Sequence, residues 1–562
     1  MKMSMVKKMF VFFVMMVMYG GAQKIVCAEN KLMDSVFQKL VQLEKNFHND
    51  ICTIPTYDNR LEAIAGKFYD KQIKIVEHAR SVSVLTHPDI PEFLCNVLCH
   101  KKNNGTFLEQ QIYQDMDLAD FIIRLLTARP LTNYTSAEEY YLKKSDGKNL
   151  YGARDFDKHN LDGKYTSRDE RNLAIFLAIS SLVYFINNGN RKNCGNNQKL
   201  GTYIEEGVYA GLIGACFEQI WQTAYQFILR DKLTIQDDFM KDLWFKLLNI
   251  KLESADVVNE AIKSNNTDRY VEVKVKGSMC IFDKYIYKRF MELVIQPFFV
   301  DGNKRACDVS KKAYLHIIGL GTGVWGVGSY MQEQCIIDLC LKMIEDGDYK
   351  NISDLDFSWL SSGKYKIGDQ EFDWKGEDAT EFFNEEITFS NGKMIRVRIS
   401  KRNPADLFAD EDKNKLLVAM YAWDPGSFPG NEYWINRLTV SGDPAAACAS
   451  TIIQMQTKEM NPFFESNIKE QFKAFYLEWC AKNPDIIASV QQRKEKRILE
   501  NGVSNNQLGL TKNIETQDNR WKITKFFAGF KICKGTVIPV GIAALCAVLY
   551  YCFTHGIGTG MI

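Results

Sequence analysis

An apolar strand that runs into a loop of alternating glycines and out into a long amphipathic helix leaves few folds open. Residues 313–344, AYLHII-GLGTGVWGVG-SYMQEQCIIDLCLKMI, have that order. Glycine permits positive φ and close backbone approach, and the helix that follows presents N–H groups and the positive end of its dipole to whatever lies in the loop. Such a unit belongs in an α/β sheet flanked by helices and builds a cradle for an anion. Gly319, Gly321, Gly323, Gly326 and Gly328 supply the space, with Val324 and Trp325 at the centre. A Trp among glycines has little to pack on locally, so Trp325 is expected to shield or stack on a ligand. A turn serving only tight strand-to-helix packing would show the same glycines.

Neither common nucleotide fingerprint fits the loop. A P-loop needs Lys then Ser or Thr after its last glycine, whereas Val327, Gly328 and Ser329 stand here. Gly321, Gly323 and Gly326 satisfy GxGxxG, yet the positions about 20 residues on still read as helix, with no acidic residue ending a second strand. A plain dinucleotide dehydrogenase is therefore disfavoured.

The 562 residues are 46% hydrophobic and 25% charged, and the formal charge is +1. That describes a globular chain of two or more domains, without the basic footprint that nucleic acid requires. The 15 cysteines lack paired CxxC spacing, so neither a zinc ribbon nor a disulfide framework is legible. The cluster Cys95, Cys99 and His100 has the i, i+4 spacing of a buried helix face. No metal and no cofactor are expected.

Both ends concern membranes. Lys2, Lys7 and Lys8 precede an apolar run and Val26-Cys27-Ala28 offers small residues for cleavage, so residues 1–28 read as a signal peptide. Residues 536–558 contain VIPVGIAALCAVLYYCF, long enough with its flanks for a transmembrane helix. Lys522, Lys525, Lys531 and Lys534 crowd its N-terminal side, and basic flanks prefer the cytoplasm. Export with a membrane anchor is the simplest reading. Delivery into another cell's cytosol, a host cell, would remove the conflict of charge.

Between the ends, residues 29–171 are expected to form a helical N-terminal region, with Leu32, Val36, Leu40 and Leu43 at helix period. Residues 172–465 mix strands and helices, 466–500 form a helical extension and 501–535 a linker. Ile395, Val397 and Ile399 alternate with Arg396 and Arg398 as a half-buried strand, and Leu416–Trp423 is a continuous apolar run suited to a central strand. RKEKR at 493–497 reads as a solvated helix face.

Where that central strand ends stands WDPGSFPGNEYW, followed by SGDPAAACAS. Carboxylates and glycines at the carboxyl end of a buried strand belong to the rim where α/β sheets bind ligands. Asp424, Asn431, Glu432 and Asp443 are the candidate side chains, with Phe428, Tyr433 and Trp434 as pocket walls. Asp443 before Pro444 fits a helix start as well as a ligand contact. Residues 187–218 form an Asn- and Gly-rich loop and then a close-packed element; Glu205 and Glu206 there read as solvent-exposed, and His316 as a core histidine.

The Gly loop HIIGLGTGVWGVG, the acidic loop AWDPGSFPGNEYW with SGDPAAA, and EEGVYAGLIGACFE together resemble the MavL-like group of macrodomain-related proteins, over roughly residues 172–464. The resemblance implies a macrodomain-like mixed sheet in which Gly323-Val324-Trp325-Gly326 holds the diphosphate of ADP-ribose. It departs from ordinary macrodomains in order, because the acidic loop follows the diphosphate loop here. It implies removal of ADP-ribose from a modified protein, arginine-linked or carried on ubiquitin among the options, with the Gly loop residues Gly319, Gly321, Gly323, Val324, Trp325 and Gly326 binding; the chemistry of the acidic loop itself points to Asp424, Glu432 and Asp443 as catalytic and Asn431 as a ligand contact. ADP-ribose or an ADP-ribosylated protein would be the partner. A binding module without catalysis, or a membrane-anchored interaction protein, are the alternatives.

Overall fold

The computed structural model describes residues 31–508, apart from 50–52, 67, most of 128–167, 218–222, 230–236, 252, 265–267, 276, 425–426, 431–432, 435 and 440–441. Its central sheet comprises β1 (Ser83–Leu85), β2 (Ala178–Tyr184), β3 (Glu206–Leu212), β4 (Ala313–Ile318), β5 (Ile352–Ser358), β6 (Phe383–Thr388), β7 (Met394–Ser400) and β8 (Leu416–Ala422). These eight strands lie in the order β1-β2-β3-β8-β4-β5-β7-β6. From β3 through β7 neighbouring strands are parallel; β1, β2 and β6 add antiparallel edges. The mixed α/β fold matches the expectation. The apolar run of β8 is central because β3 and β4 flank it, and β7 buries Ile395, Val397 and Ile399 as its alternation implies.

The helices around the sheet include α1 (Tyr69–Arg80), α2 (Asp89–Asn104), α3 (Lys284–Asp308), α4 (Ser329–Asp346), α5 (Gly442–Ala449), α6 (Ile452–Met455) and α7 (Phe464–Lys482); α8 (Pro484–Leu508) follows α7 in the chain. Helix α3 sits on the face bearing the paired residues Leu315 and Val418, so closely that a Cβ at Gly302 would lie 3.0 Å from Leu315 Cδ2. Alternation along β8 sends Tyr421 to the other face. There its hydroxyl donates to Gln456 Oε1 at 2.6 Å, just beyond α6. The chain thus leaves β4 into α4, which packs on α3, and leaves β8 towards the opposite layer. Between those two strands lies a topological switch point, where open α/β sheets bind ligands.

Three expectations for the flanks need adjustment. The buried stripe of the helix at 31–49 is Phe37, Leu40, Val41, Glu44 and Phe47, rotated from the one expected, and Leu32 is 55% exposed. The helical N-terminal region also supplies β1, which pairs with β2, and its residues enter the same core as the sheet. Residues to Lys494 accordingly form one compact unit, with no break at 171–172. Glu495–Ile562 forms a second, described only as far as Leu508. Since α8 runs to Leu508, the start of the expected linker is helical. The signal peptide at 1–28 and the transmembrane helix at 536–558 lie outside the described residues. Among the described residues, no helix is long and apolar enough to cross a membrane.

Candidate active site

The three motifs converge on one rim. Ala419 of β8 stands level with His316 of β4, and Ala422 with Leu212 of β3. Continuing that register brings the first residues of the acidic loop, of the Gly loop and of the segment after β3 to the same carboxyl edge. Adjacent strands are only about 4.8 Å apart. The loops touch through their backbones. Trp423 N–H donates to Leu212 O at 2.8 Å, and Phe217 N–H donates to Trp325 O at 3.1 Å. A Cβ at Gly214 would sit 2.5 Å from Gly321 N, and one at Gly321, where φ is +72°, would meet Ala215 O at 2.8 Å. Only glycine permits that contact from both sides.

The glycines divide by what surrounds them. At Gly319 a Cβ would strike Thr322 Oγ1 at 2.4 Å, and at Gly326 the Thr322 carbonyl at 2.5 Å, so these two, like Gly321, are small for internal reasons. Gly323 has open space around its Cβ position. Beside it Val324 is 79% exposed. The open part of the loop is therefore this tip. The helix start is closed from within, because Gln332 Oε1 accepts Val327 N–H at 2.7 Å and Gly328 N–H at 3.2 Å, and Ser329 Oγ donates to Thr322 O. Trp325 also departs from expectation. Its ring is buried in the main core, so it does have something to pack on.

Beneath the loop lies Glu333, a buried carboxylate that the sequence reading passed over. It accepts from Thr322 Oγ1 at 2.9 Å, Ser361 N–H at 3.0 Å, Ser361 Oγ at 3.1 Å and Tyr365 Oη at 2.5 Å. Those bonds tie the Gly loop to the segment after β5. That segment carries Trp359, also missed. It holds the left-handed conformation at φ +59°, is 43% exposed, and is fixed by its N–H donating to Ser400 O at 3.0 Å. An aromatic just past a short strand and shortly before Ser-Ser-Gly was the available signal. A non-glycine residue in that region is held there by its surroundings, and this one is partly exposed just past the carboxyl end of β5.

On the other side of β4, Asp424 is half-buried two residues past the end of β8, and its carbonyl accepts from Ser427 Oγ at 2.8 Å. Asp443 is buried in the first turn of α5, and its Oδ1 accepts Gly430 N–H at 2.6 Å. It tethers the far end of the acidic loop. Asn431 and Glu432 lie outside the described residues. Phe428, Tyr433 and Trp434 do not wall an open pocket: all three are buried, and Phe428 and Trp434 pack on Phe47 with centroids 5.6 and 5.1 Å away.

Other candidates fall away from the rim. Glu206 begins β3 at the opposite edge, where His78 Nε2 lies 2.7 Å from its carboxylate; this hydrogen bond holds the Glu206 acid below the usual carboxylate range. His316 is fully buried with Nε2 3.0 Å from Arg402 O, and desolvation lowers its pKa, which keeps the ring neutral. Cys95 and Cys99 are buried on α2, where desolvation pushes the Cys99 thiol up to about 11, while His100 pairs with Asp237 at 2.7 Å. Among the described residues, no three His, Cys, Asp or Glu side chains are grouped to hold a metal ion.

A family model described as ADP-ribosylhydrolase MavL-like matches residues 42–471. Two proteins of Drosophila melanogaster are similar over most of their length. ADP-ribosylarginine hydrolase CG2909 is 28% identical over 429 residues, covering 70% of this chain and 78% of the fly protein. ADP-ribosylarginine hydrolase CG3568 is 29% identical over 419 residues, with the same coverage. The match begins inside the helix at 31–49 and ends within α7, so it takes in both layers around the sheet.

Proposed function

The chain belongs to the MavL-like ADP-ribosylhydrolase family, and from that premise we propose that it hydrolyses the bond between ADP-ribose and an arginine side chain of a modified protein. One observation carries the reading: the open tip of the Gly loop and Asp424 leave adjacent parallel strands at the same edge. The fly relatives' names supply the arginine linkage.

In this reading the diphosphate lies against main-chain N–H groups at Gly323 and Val324, where no side chain intervenes. Trp359 offers a stacking face for the base. The anomeric carbon then faces the acidic loop. Cleavage passes through an oxocarbenium-like transition state that a carboxylate stabilises and for which it activates water. Water adds to the anomeric carbon, and the carbon–nitrogen bond breaks with its electron pair passing to the arginine nitrogen. Neutral guanidine takes up the proton that water gives up. Asp424 and Glu432 are the carboxylates assigned this work, Asn431 contacts the ligand, and Asp443 sets the loop that bears them. Export through residues 1–28 and a membrane tether at 536–558 complete the proposal, on the hydropathy of those segments alone.

The test is direct. Incubating the full chain with an arginine-ADP-ribosylated protein should release free ADP-ribose and regenerate the unmodified protein. Retention of the label by a chain that still binds ADP-ribose would leave a binding module instead.

A further inference from the structure

The acidic loop is held by a part of the chain to which no chemistry was assigned. Tyr433, fully buried, places its hydroxyl 2.6 Å from Thr56 Oγ1. Thr56 Oγ1 donates to Asn59 Oδ1 at 2.8 Å, and Asn59 Nδ2 donates to Ala447 O of α5 at 2.6 Å. The relay thus runs from Tyr433 to Thr56 to Asn59 to α5, and Asn59 Nδ2 also reaches Ser450 O at 3.4 Å. Asn59 is fully buried, and its carbonyl accepts Gln454 Nε2 at 3.0 Å. Gly195, at φ +80°, makes room for the relay, since a Cβ there would lie 2.4 Å from Thr56 Cγ2. Phe47 adds an apolar wedge against Phe428 and Trp434.

We infer that Phe47 and residues 53–60 are a brace for the catalytic loop, with Thr56, Asn59 and Tyr433 as positioning residues for hydrolysis. The inference rests on the hydrolase reading for its consequence, though not for its geometry. Trp423 is pinned to β3 at one end of the loop and Tyr433 to the brace at the other. Asp424, which stands between, inherits its position from those two anchors. A fully satisfied buried relay specifies one arrangement and penalises others. Displacing a reacting group by 1 Å costs on the order of 10²-fold in rate. The Gly loop hangs from β4 and its own helix, so its grip on ADP-ribose is independent of the brace.

Three variants of the full chain test this: Tyr433→Phe, Thr56→Val and Thr56→Ser. The first two remove one hydroxyl each at nearly constant shape and should lower kcat roughly tenfold, while KM and the Kd for free ADP-ribose by calorimetry hold. Thr56→Ser restores the hydroxyl and should restore kcat. Amide hydrogen exchange should quicken across 427–434 in the first two variants and stay unchanged across 329–346. Wild-type kcat and exchange in both would overturn the brace, as would a parallel loss of binding and protection throughout the chain. If the wild-type chain releases no ADP-ribose, the hydrolase reading falls, and exchange at 427–434 still decides whether the brace exists.

Discussion

The two loops of the site are held by opposite strategies. The Gly loop is organised chiefly from its own surroundings in sequence: Thr322, Ser329, Gln332 and Glu333 close it from within, and Ser361 and Tyr365 come from the next strand and hairpin. The acidic loop depends on residues more than 370 positions away, at Thr56 and Asn59. On the proposed function, a binding surface is thus built from a local strand–loop–helix unit, whereas placing the reacting group draws on the packing of the whole fold. The difference predicts that binding and turnover are separable by mutation.

The largest effect should come at the acidic loop. Asp424→Asn should reduce turnover by roughly 10²–10⁴-fold with little change in ADP-ribose affinity, as steady-state rates and calorimetry would report. Loss of both together would erase the division of labour and leave Asp424 a contact residue. Within the Gly loop the contrast lies between glycines that face protein and the one that does not. Gly321→Ala must place a Cβ against Ala215 in a left-handed conformation, and should cost about 3 kcal/mol or more in urea unfolding.

A third prediction concerns the helix next to the brace. Glu44 is buried, and desolvation raises its carboxyl to about 7, against the lowering effect of Gln454. A carboxyl raised on folding holds a proton that the unfolded chain has lost, so its contribution to stability is retained below the ordinary carboxylate pKa and declines as pH rises through 7. The loss is on the order of 3 kcal/mol. Glu44→Gln should therefore become more stable relative to wild type between pH 5 and pH 8, by paired urea titrations. A constant difference would show that the carboxyl does not titrate on folding. The smallest effect belongs to Gly323→Ala, which should alter stability by less than about 0.5 kcal/mol, because nothing lies near its Cβ position.

Legibility follows the same division. The strand at 313–318, the loop and α4 were readable because their determinants are contiguous: an apolar run, spaced glycines and a helix-period stripe. β8 and the half-buried β7 were readable from their apolar patterns alone. What the glycines are for was not, because Gly214 and Gly321 exclude side chains from each other across a sheet position that sequence order conceals. Tyr433 and Trp434 look like pocket walls in sequence, and only the arrival of Phe47 and Thr56 from the N-terminal segment shows them to be anchors. Glu333 falls within a helix pattern and gives no sign that its carboxylate turns under the loop. Trp359 was visible as an aromatic after a strand, but its exposure and left-handed backbone were not.

The central claim is that the open tip of the Gly loop receives ADP-ribose beside the acidic loop. Calorimetric titration of free ADP-ribose into the wild-type chain and into Gly323→Val tests it most directly. The account predicts binding to the wild type that is lost when valine fills the space at the tip, with the melting temperature little changed. Equal affinity in the two proteins would contradict it.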